Sequence, residues 1–156
     1  MPKDHQIPPA DQAARKAWMS LLAKAPEARL LALWQAFGAA PAFTVLRPAE
    51  IGGVMVRGRM GGTGAPFNLG EMTVTRCSVA LQDGRVGHGY VQGRGKPRAQ
   101  IAAVIDALMQ GAEADAVQAA VLDPLAADMA ATRAGRAAKA AATKVEFFTL
   151  VRGEDG

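Results

Sequence analysis

Glu71-Met72-Thr73-Val74-Thr75-Arg76-Cys77-Ser78-Val79-Ala80-Leu81-Gln82-Asp83-Gly84-Arg85-Val86-Gly87-His88-Gly89-Tyr90-Val91-Gln92 decides the fold. Two runs rich in β-branched and aromatic residues, 71–81 and 85–92, flank Asp83-Gly84, a pair suited to a two-residue turn with positive φ at both positions. The sheet is therefore antiparallel. Such a turn sets a register of Leu81 with Val86, Val79 with His88, Cys77 with Tyr90 and Thr75 with Gln92 on one bulky face. The opposite face then pairs Ala80 with Gly87, Ser78 with Gly89 and Arg76 with Val91. That face is nearly bare, so a second backbone or a ligand can approach it closely.

Upstream, Val54-Met55-Val56-Arg57-Gly58-Arg59-Met60-Gly61-Gly62-Thr63-Gly64 is a strand that runs into a glycine cluster. Alternation puts Met55, Arg57 and Arg59 on one side and Val54, Val56 and Gly58 on the other. Gly61, Gly62 and Gly64 permit a tight loop whose amides can converge on an anion, and arginine supplies a planar fork for phosphate or carboxylate. A solvated hairpin loop is the plainer reading. The cluster is no P-loop, because Gly64 is followed by Ala65-Pro66 rather than by Lys-Ser or Lys-Thr and a helix.

Outward from the strands the spacing turns helical. Asp11 caps a helix carrying Ala14, Trp18, Leu21, Leu22 and Ala25, and Pro26 opens a second with Leu30, Leu33, Trp34 and Phe37, ended by Gly38. A brief strand at 43–46 stops at Pro48. After Gly93-Arg94-Gly95-Lys96, Pro97 opens a helix with Ile101, Val104, Ile105, Leu108 and Met109 on one stripe. Its N-terminus beside Arg94, Lys96 and Arg98 is equipped for an anion. An alanine-rich helical region follows, restarted at Asp123-Pro124, and 145–151 returns to strand chemistry, apolar on both faces and available to a partner subunit. The expected architecture is α+β: a small antiparallel sheet of four to five strands, an N-terminal helical hairpin and C-terminal Ala-rich helices. Residues 1–10 read as a flexible start and 11–156 as one domain.

The chain has 156 residues, of which half are apolar and 5% aromatic, with a net charge of +4. Much of the apolar share is alanine, which is compatible with a core completed by other subunits. The charge is uneven: Arg47, Arg57, Arg59, Arg76, Arg85, Arg94, Lys96 and Arg98 meet only Glu50, Glu71 and Asp83 across the middle of the chain. That favours an anionic partner. The single Cys77 excludes an internal disulfide framework and fits a reducing, cytoplasmic setting, and no apolar run is long enough for a membrane span. His5 and His88 make a poor metal set. Cys77 and His88 share a face in this register, so a thiolate–imidazole pair is conceivable, although packing is the ordinary role of both. Asp106, among apolar neighbours, is a base candidate, and its more ordinary reading is to face solvent or an arginine. No nucleophile–base set emerges.

Five blocks resemble a known family: Arg59-Met60-Gly61-Gly62-Thr63-Gly64; Thr75-Arg76; Val91-Gln92-Gly93-Arg94; Ile105-Asp106-Ala107-Leu108-Met109-Gln110; and Phe147-Phe148-Thr149-Leu150-Val151-Arg152-Gly153. In order and spacing they resemble the G subunit of the bacterial carbon-phosphorus lyase core complex, PhnG. Lys96-Pro97-Arg98 departs from the His-bearing pattern of that family, which argues against a proton-transfer role for this loop. The resemblance implies a subunit that works with the H, I and J core subunits and the L and K proteins. Together they convert MgATP and methylphosphonate to α-D-ribose 1-methylphosphonate 5-triphosphate and adenine. It implies no cofactor or metal on this chain, no nucleic acid, and no catalytic residue to carry over. Arg57, Arg59, Gly61, Gly62, Thr63, Gly64, Arg76, Gln92, Arg94 and Arg152 are the candidates for anion, substrate or interface contact. The rival from another class is a stand-alone basic nucleotide- or nucleic-acid-binding module, disfavoured by sparse aromatics and the lack of a recognition helix.

Overall fold

A computed structural model describes the backbone of residues 9–152 and the side chains of residues 11–144. Two helices come first, α1 (Pro9–Lys24) and α2 (Glu27–Phe37). Asp11 lies in the first turn of α1 and Lys24 in its last, each suited to the helix dipole. Pro26 holds the extended N-cap of α2, and Gly38 closes that helix with φ of 73° and an N–H bond to the Trp34 carbonyl. The helical hairpin stands as expected, with α1 begun two residues before Asp11.

The sheet has three strands among the described residues, in the order β1 (Phe43–Arg59), β2 (Pro66–Leu81), β3 (Val86–Gln92), all antiparallel. This corrects the expected four to five, because the segments at 43–46 and 54–60 join into one long edge strand. Pro48 does not stop it. The residue sits where the β1–β2 register slips, between Val45 and Glu50, and an edge strand tolerates the missing N–H there. At the far end Val54, Val56 and Gly58 are half-buried while Met55, Arg57 and Arg59 are exposed, as alternation predicts.

The β2–β3 turn is longer by one residue than the expected pair. Leu81 N–H bonds the Arg85 carbonyl at 2.9 Å and Gly84 N–H bonds Leu81 at 3.0 Å. Gly84 is the residue with positive φ, 89°, the arrangement of a three-residue loop with a glycine bulge. The register therefore slips by one, to Val79 with Gly87, Ser78 with His88, Cys77 with Gly89 and Arg76 with Tyr90. A one-residue slip turns every side chain of β3 over. Gly87, Gly89 and Val91 join Thr75, Cys77, Val79 and Leu81 on the buried face, and His88 and Tyr90 are exposed.

The bare stretch is consequently filled by this chain's own helix. α3 (Lys96–Leu108) packs on β3 so closely that a Cβ on Gly87 would lie 1.8 Å from the Ala103 carbonyl oxygen, and one on Gly89 2.0 Å from that of Ala99. Only glycine facing alanine permits that approach. The core gathers Leu22, Leu30, Val79, Val91, Ile105, Val121, Leu122 and Leu125 around α3. Each large side chain fully withdrawn from water there contributes roughly 1.5–3 kcal/mol. Downstream, a short α4 (Ala114–Val117) and a π-helical turn (Gln118–Leu122) lead into α5 (Asp123–Arg152). Leu125 anchors α5, and beyond Met129 every described side chain is exposed. The expected terminal strand at 145–151 is corrected to helix: the alanine run propagates the helix into residues that by themselves favour strand. The side chains of Phe147, Phe148 and Arg152 lie outside the described residues.

Candidate functional site

The glycine loop after β1 is built by backbone demand. Met60–Gly62 form one turn of 3-10 helix, with φ of 64° at Gly61 and 78° at Gly62, where any other residue is strained. The amides of Thr63 and Gly64 both turn back onto the Met60 carbonyl, the second at 3.0 Å. Those two donors are spent inside the loop and are not aimed at an anion. Arg57 and Arg59 are exposed on the last turns of the ribbon before it.

Arg76 lies elsewhere. Arg57 is opposite Asn68 and Arg76 is opposite Glu50 and Tyr90, so eight residues of β2 separate the two positions. At about 3.3 Å per residue that is roughly 26 Å. Arg94 follows the end of β3, and because Gly93 N–H bonds the Thr73 carbonyl at 2.8 Å it lies nearer the Arg76 position, about 10 Å along β2, than the glycine loop, about 20 Å or more away. Gln92 gives its carbonyl to the Arg98 guanidinium. The structure thus brings Arg76, Gln92 and Arg94 into one region and Arg57, Arg59, Gly61, Gly62, Thr63 and Gly64 into another. These candidates therefore lie in two separate regions of the sheet.

The expected anion cradle at the N-terminus of α3 is corrected. Arg98 is buried, and its guanidinium donates to the carbonyls of Ala25 and Gln92, so it ties the α1–α2 corner to the end of β3. The space beside the helix start is taken by Glu27, whose Oε2 would lie 2.1 Å from a Cβ on Gly95. The chain supplies its own acid there.

Cys77 and His88 are also corrected. The slipped register sends Cys77 into the core, where burial pushes the thiol above its usual value against a smaller lowering by a backbone bond at Ser78. His88 projects on the opposite face and its Nδ1 pairs with Ser78 Oγ at 2.9 Å. No thiolate–imidazole contact forms.

Asp106 is the buried acid whose full setting the sequence does not reveal. Fully inaccessible, it accepts four bonds: Arg15 Nε at 3.1 Å and Trp18 Nε1 at 2.8 Å on Oδ1, Arg15 Nη2 at 2.6 Å and the His88 backbone N–H at 2.8 Å on Oδ2. With every acceptor position in use the carboxylate is a fastener of α1, α3 and β3 and has no lone pair left for a general base. The signal was present in Arg15 and Trp18, which share a face of α1 at a spacing of three. Arg85 does similar work at the other end of α3, bonding Asp83, Glu113 and the carbonyls of Ala107 and Leu108. That guanidinium lowers the pKa of Glu113, and the Arg85 backbone N–H followed by its side chain lowers that of Asp83. Among the described residues no group of three His, Cys, Asp or Glu could hold a metal ion. Nor is any helix there long and apolar enough to cross a membrane.

This geometry defines an α+β protein with a projecting β-ribbon and solvated arginines, without a catalytic set among the described residues. The family model described as "Phosphonate metabolism protein PhnG" matches residues 13–153. The chain belongs to that family. It is 47% identical over 146 residues, 94% of each chain, to the α-D-ribose 1-methylphosphonate 5-triphosphate synthase subunit PhnG of Rhizobium meliloti (strain 1021).

Proposed function

We propose that this chain is a subunit of α-D-ribose 1-methylphosphonate 5-triphosphate synthase and serves the breakdown of organophosphonates. The observation that carries the reading is likeness to such a subunit along 94% of both chains, which leaves little of either unmatched. The partners are the other subunits of the synthase. In finer terms these are the H, I and J core subunits and the L and K proteins, in the cytoplasm, with MgATP and an alkylphosphonate as substrates. A phosphonate oxygen takes C1' of the ribose as the bond to adenine breaks, and adenine leaves with the electron pair and a proton. This chain contributes charge and contact surface to that step and carries no cofactor.

The arginines divide by location. Arg57, Arg59, Arg76 and Arg94 make no side-chain ion pair or hydrogen bond among the described residues, which supports a task outside the chain. The ribbon pair serves assembly, and Arg76 with Arg94 steadies anionic charge. The test is the complex assembled from co-expressed subunits and assayed for adenine release from MgATP plus methylphosphonate. Omission of this chain abolishes release. Arg76→Ala leaves the complex intact with release reduced; unchanged release by a complex lacking this chain overturns the proposal.

A further inference from the structure

We propose that the free edge of β2 at residues 66–73 receives an added β-strand from another subunit, an extended segment of acidic character. The proposal rests on the synthase-subunit reading above. β3 pairs with β2 only from Val74 to Ala80, and the chain leaves the sheet at Gly93, with φ of 87° and its N–H on the Thr73 carbonyl. β2 continues to Pro66 with β1 on one side only. Because the Thr73 carbonyl faces the side that β3 occupies, alternation turns the N–H and C=O of Glu71 to that same open side.

A two-stranded ribbon of this kind is marginal in water by itself. Here it also displays apolar side chains: Met55 is 57% exposed and Met60 76%, and on the face of Gly58 Leu69 is 62% exposed with Phe67 on the same face. Leu69 lies flat across Gly58, where a Cβ would come within 2.6 Å of its Cδ1. The result is a third-strand position with unpaired backbone groups along the edge and an apolar surface beside it, the setting for strand addition. The opposite edge, on β1, is broken by Pro48 and two register irregularities between Val45 and Glu50, and a third falls between Val56 and Arg57 in the ribbon itself.

Charge selects the occupant. Between positions 53 and 73 the ribbon holds Arg57 and Arg59 against Glu71 alone. A second copy of the ribbon would set arginine against arginine, whereas a strand from another protein with carboxylates toward the tip is complementary.

The experiment uses the assembled complex. Glu71→Pro deletes the outward N–H while the β1 side stays paired, and Glu71→Ala keeps that N–H and removes only the side chain. Expected is a roughly tenfold or greater loss of this chain from the purified complex for Glu71→Pro, and retention near wild type for Glu71→Ala. Amide exchange of the wild-type complex checks the same point independently of any folding defect, with Glu71 and Thr73 protected as strongly as Thr75. Fast exchange at Glu71 in the complex, full retention of Glu71→Pro, or cross-linking of the ribbon to a second copy overturns the strand addition while the subunit reading stands. Failure of the wild-type chain to join the complex overturns both.

Discussion

Replacing Asp106 by alanine removes the one group that four donors share, and the cost follows from what is left behind. The Trp18 indole N–H and the His88 amide lose their acceptor, and Arg15 keeps a positive charge with 20% of its side chain exposed. Breaking a buried ion pair from one side costs about 3–5 kcal/mol, and a stranded buried donor about 1–3 kcal/mol. Arg15 recovers part of its hydration by swinging outward, so the lower end of the summed range applies, roughly 5 kcal/mol. For a chain of this size that lowers the midpoint by about 10 °C. Urea and thermal unfolding of the purified chain, followed by Trp18 and Trp34 fluorescence, measure it. Asp106→Asn reports the geometry, since its amide keeps one acceptor and sets an NH2 group against the donors on the other side, with a loss of about 2–3 kcal/mol. A loss below about 1 kcal/mol for Asp106→Ala refutes the fastener role. So does an Asp106→Asn variant that keeps full stability yet joins the complex and abolishes adenine release, the behaviour of a catalytic carboxylate.

Other outcomes test the packing and the charges. Gly87→Ala forces a methyl to 1.8 Å from a backbone oxygen of α3, so the helix must move off the sheet; expression in insoluble form or a stability loss of about 3 kcal/mol or more is expected by unfolding measurements. Gly61→Ala meets open space but a φ of 64°, which limits its cost to about 1–2 kcal/mol by the same assay. Cys77 is held above the ordinary thiol value of 9.0, so its contribution is complete below that pH and is lost as pH rises through the higher folded value. Stability should therefore fall above about pH 9, less steeply in Cys77→Ala, and thiol labelling at pH 8 should require urea. Glu113 has the opposite sign: its lowered pKa makes the Arg85 contact present above 4.5 and lost as pH falls, a loss that Glu113→Gln removes from the acid limb of the unfolding curve.

The helical hairpin, the capping glycine at 38, the long antiparallel hairpin and the helix opened by Pro97 were legible in the sequence because local spacing and turn chemistry set them. What was not legible turned on one residue. Asp83-Gly84 fits both a two-residue turn and the end of a three-residue turn, and only the second leaves Gly87 and Gly89 facing α3. The small side chains of Ala99, Ala103 and Ala107 held the answer, since an alanine face on a helix needs a glycine face on its sheet for backbones to meet. The terminal strand failed for a different reason. Seven residues of mixed propensity cannot be separated by pattern alone from the helix that an alanine-rich run extends into them.

The cations sort the remaining surface. Arg15, Arg85 and Arg98 each bond acids or carbonyls that belong to different elements, so these charges are consumed in holding α1, α3 and the sheet together. Arg57, Arg59, Arg76 and Arg94 have no such use among the described residues, and they carry the positive excess of the middle of the chain outward. Sequence alone ranked Arg98 beside Arg94 because both flank one helix start, yet the fold turns one inward and leaves the other in water. An exposed arginine without a partner contributes little to stability, so alanine at any of these four should change the unfolding free energy by less than about 0.5 kcal/mol. Their effect has to be read in the complex, where loss of association points to Arg57 and Arg59, and loss of adenine release with association kept points to Arg76 and Arg94. The roughly 26 Å between Arg57 and Arg76 keeps the two pairs from sharing one site, and the reverse assignment, with the ribbon arginines silent in assembly, overturns the proposed division of roles.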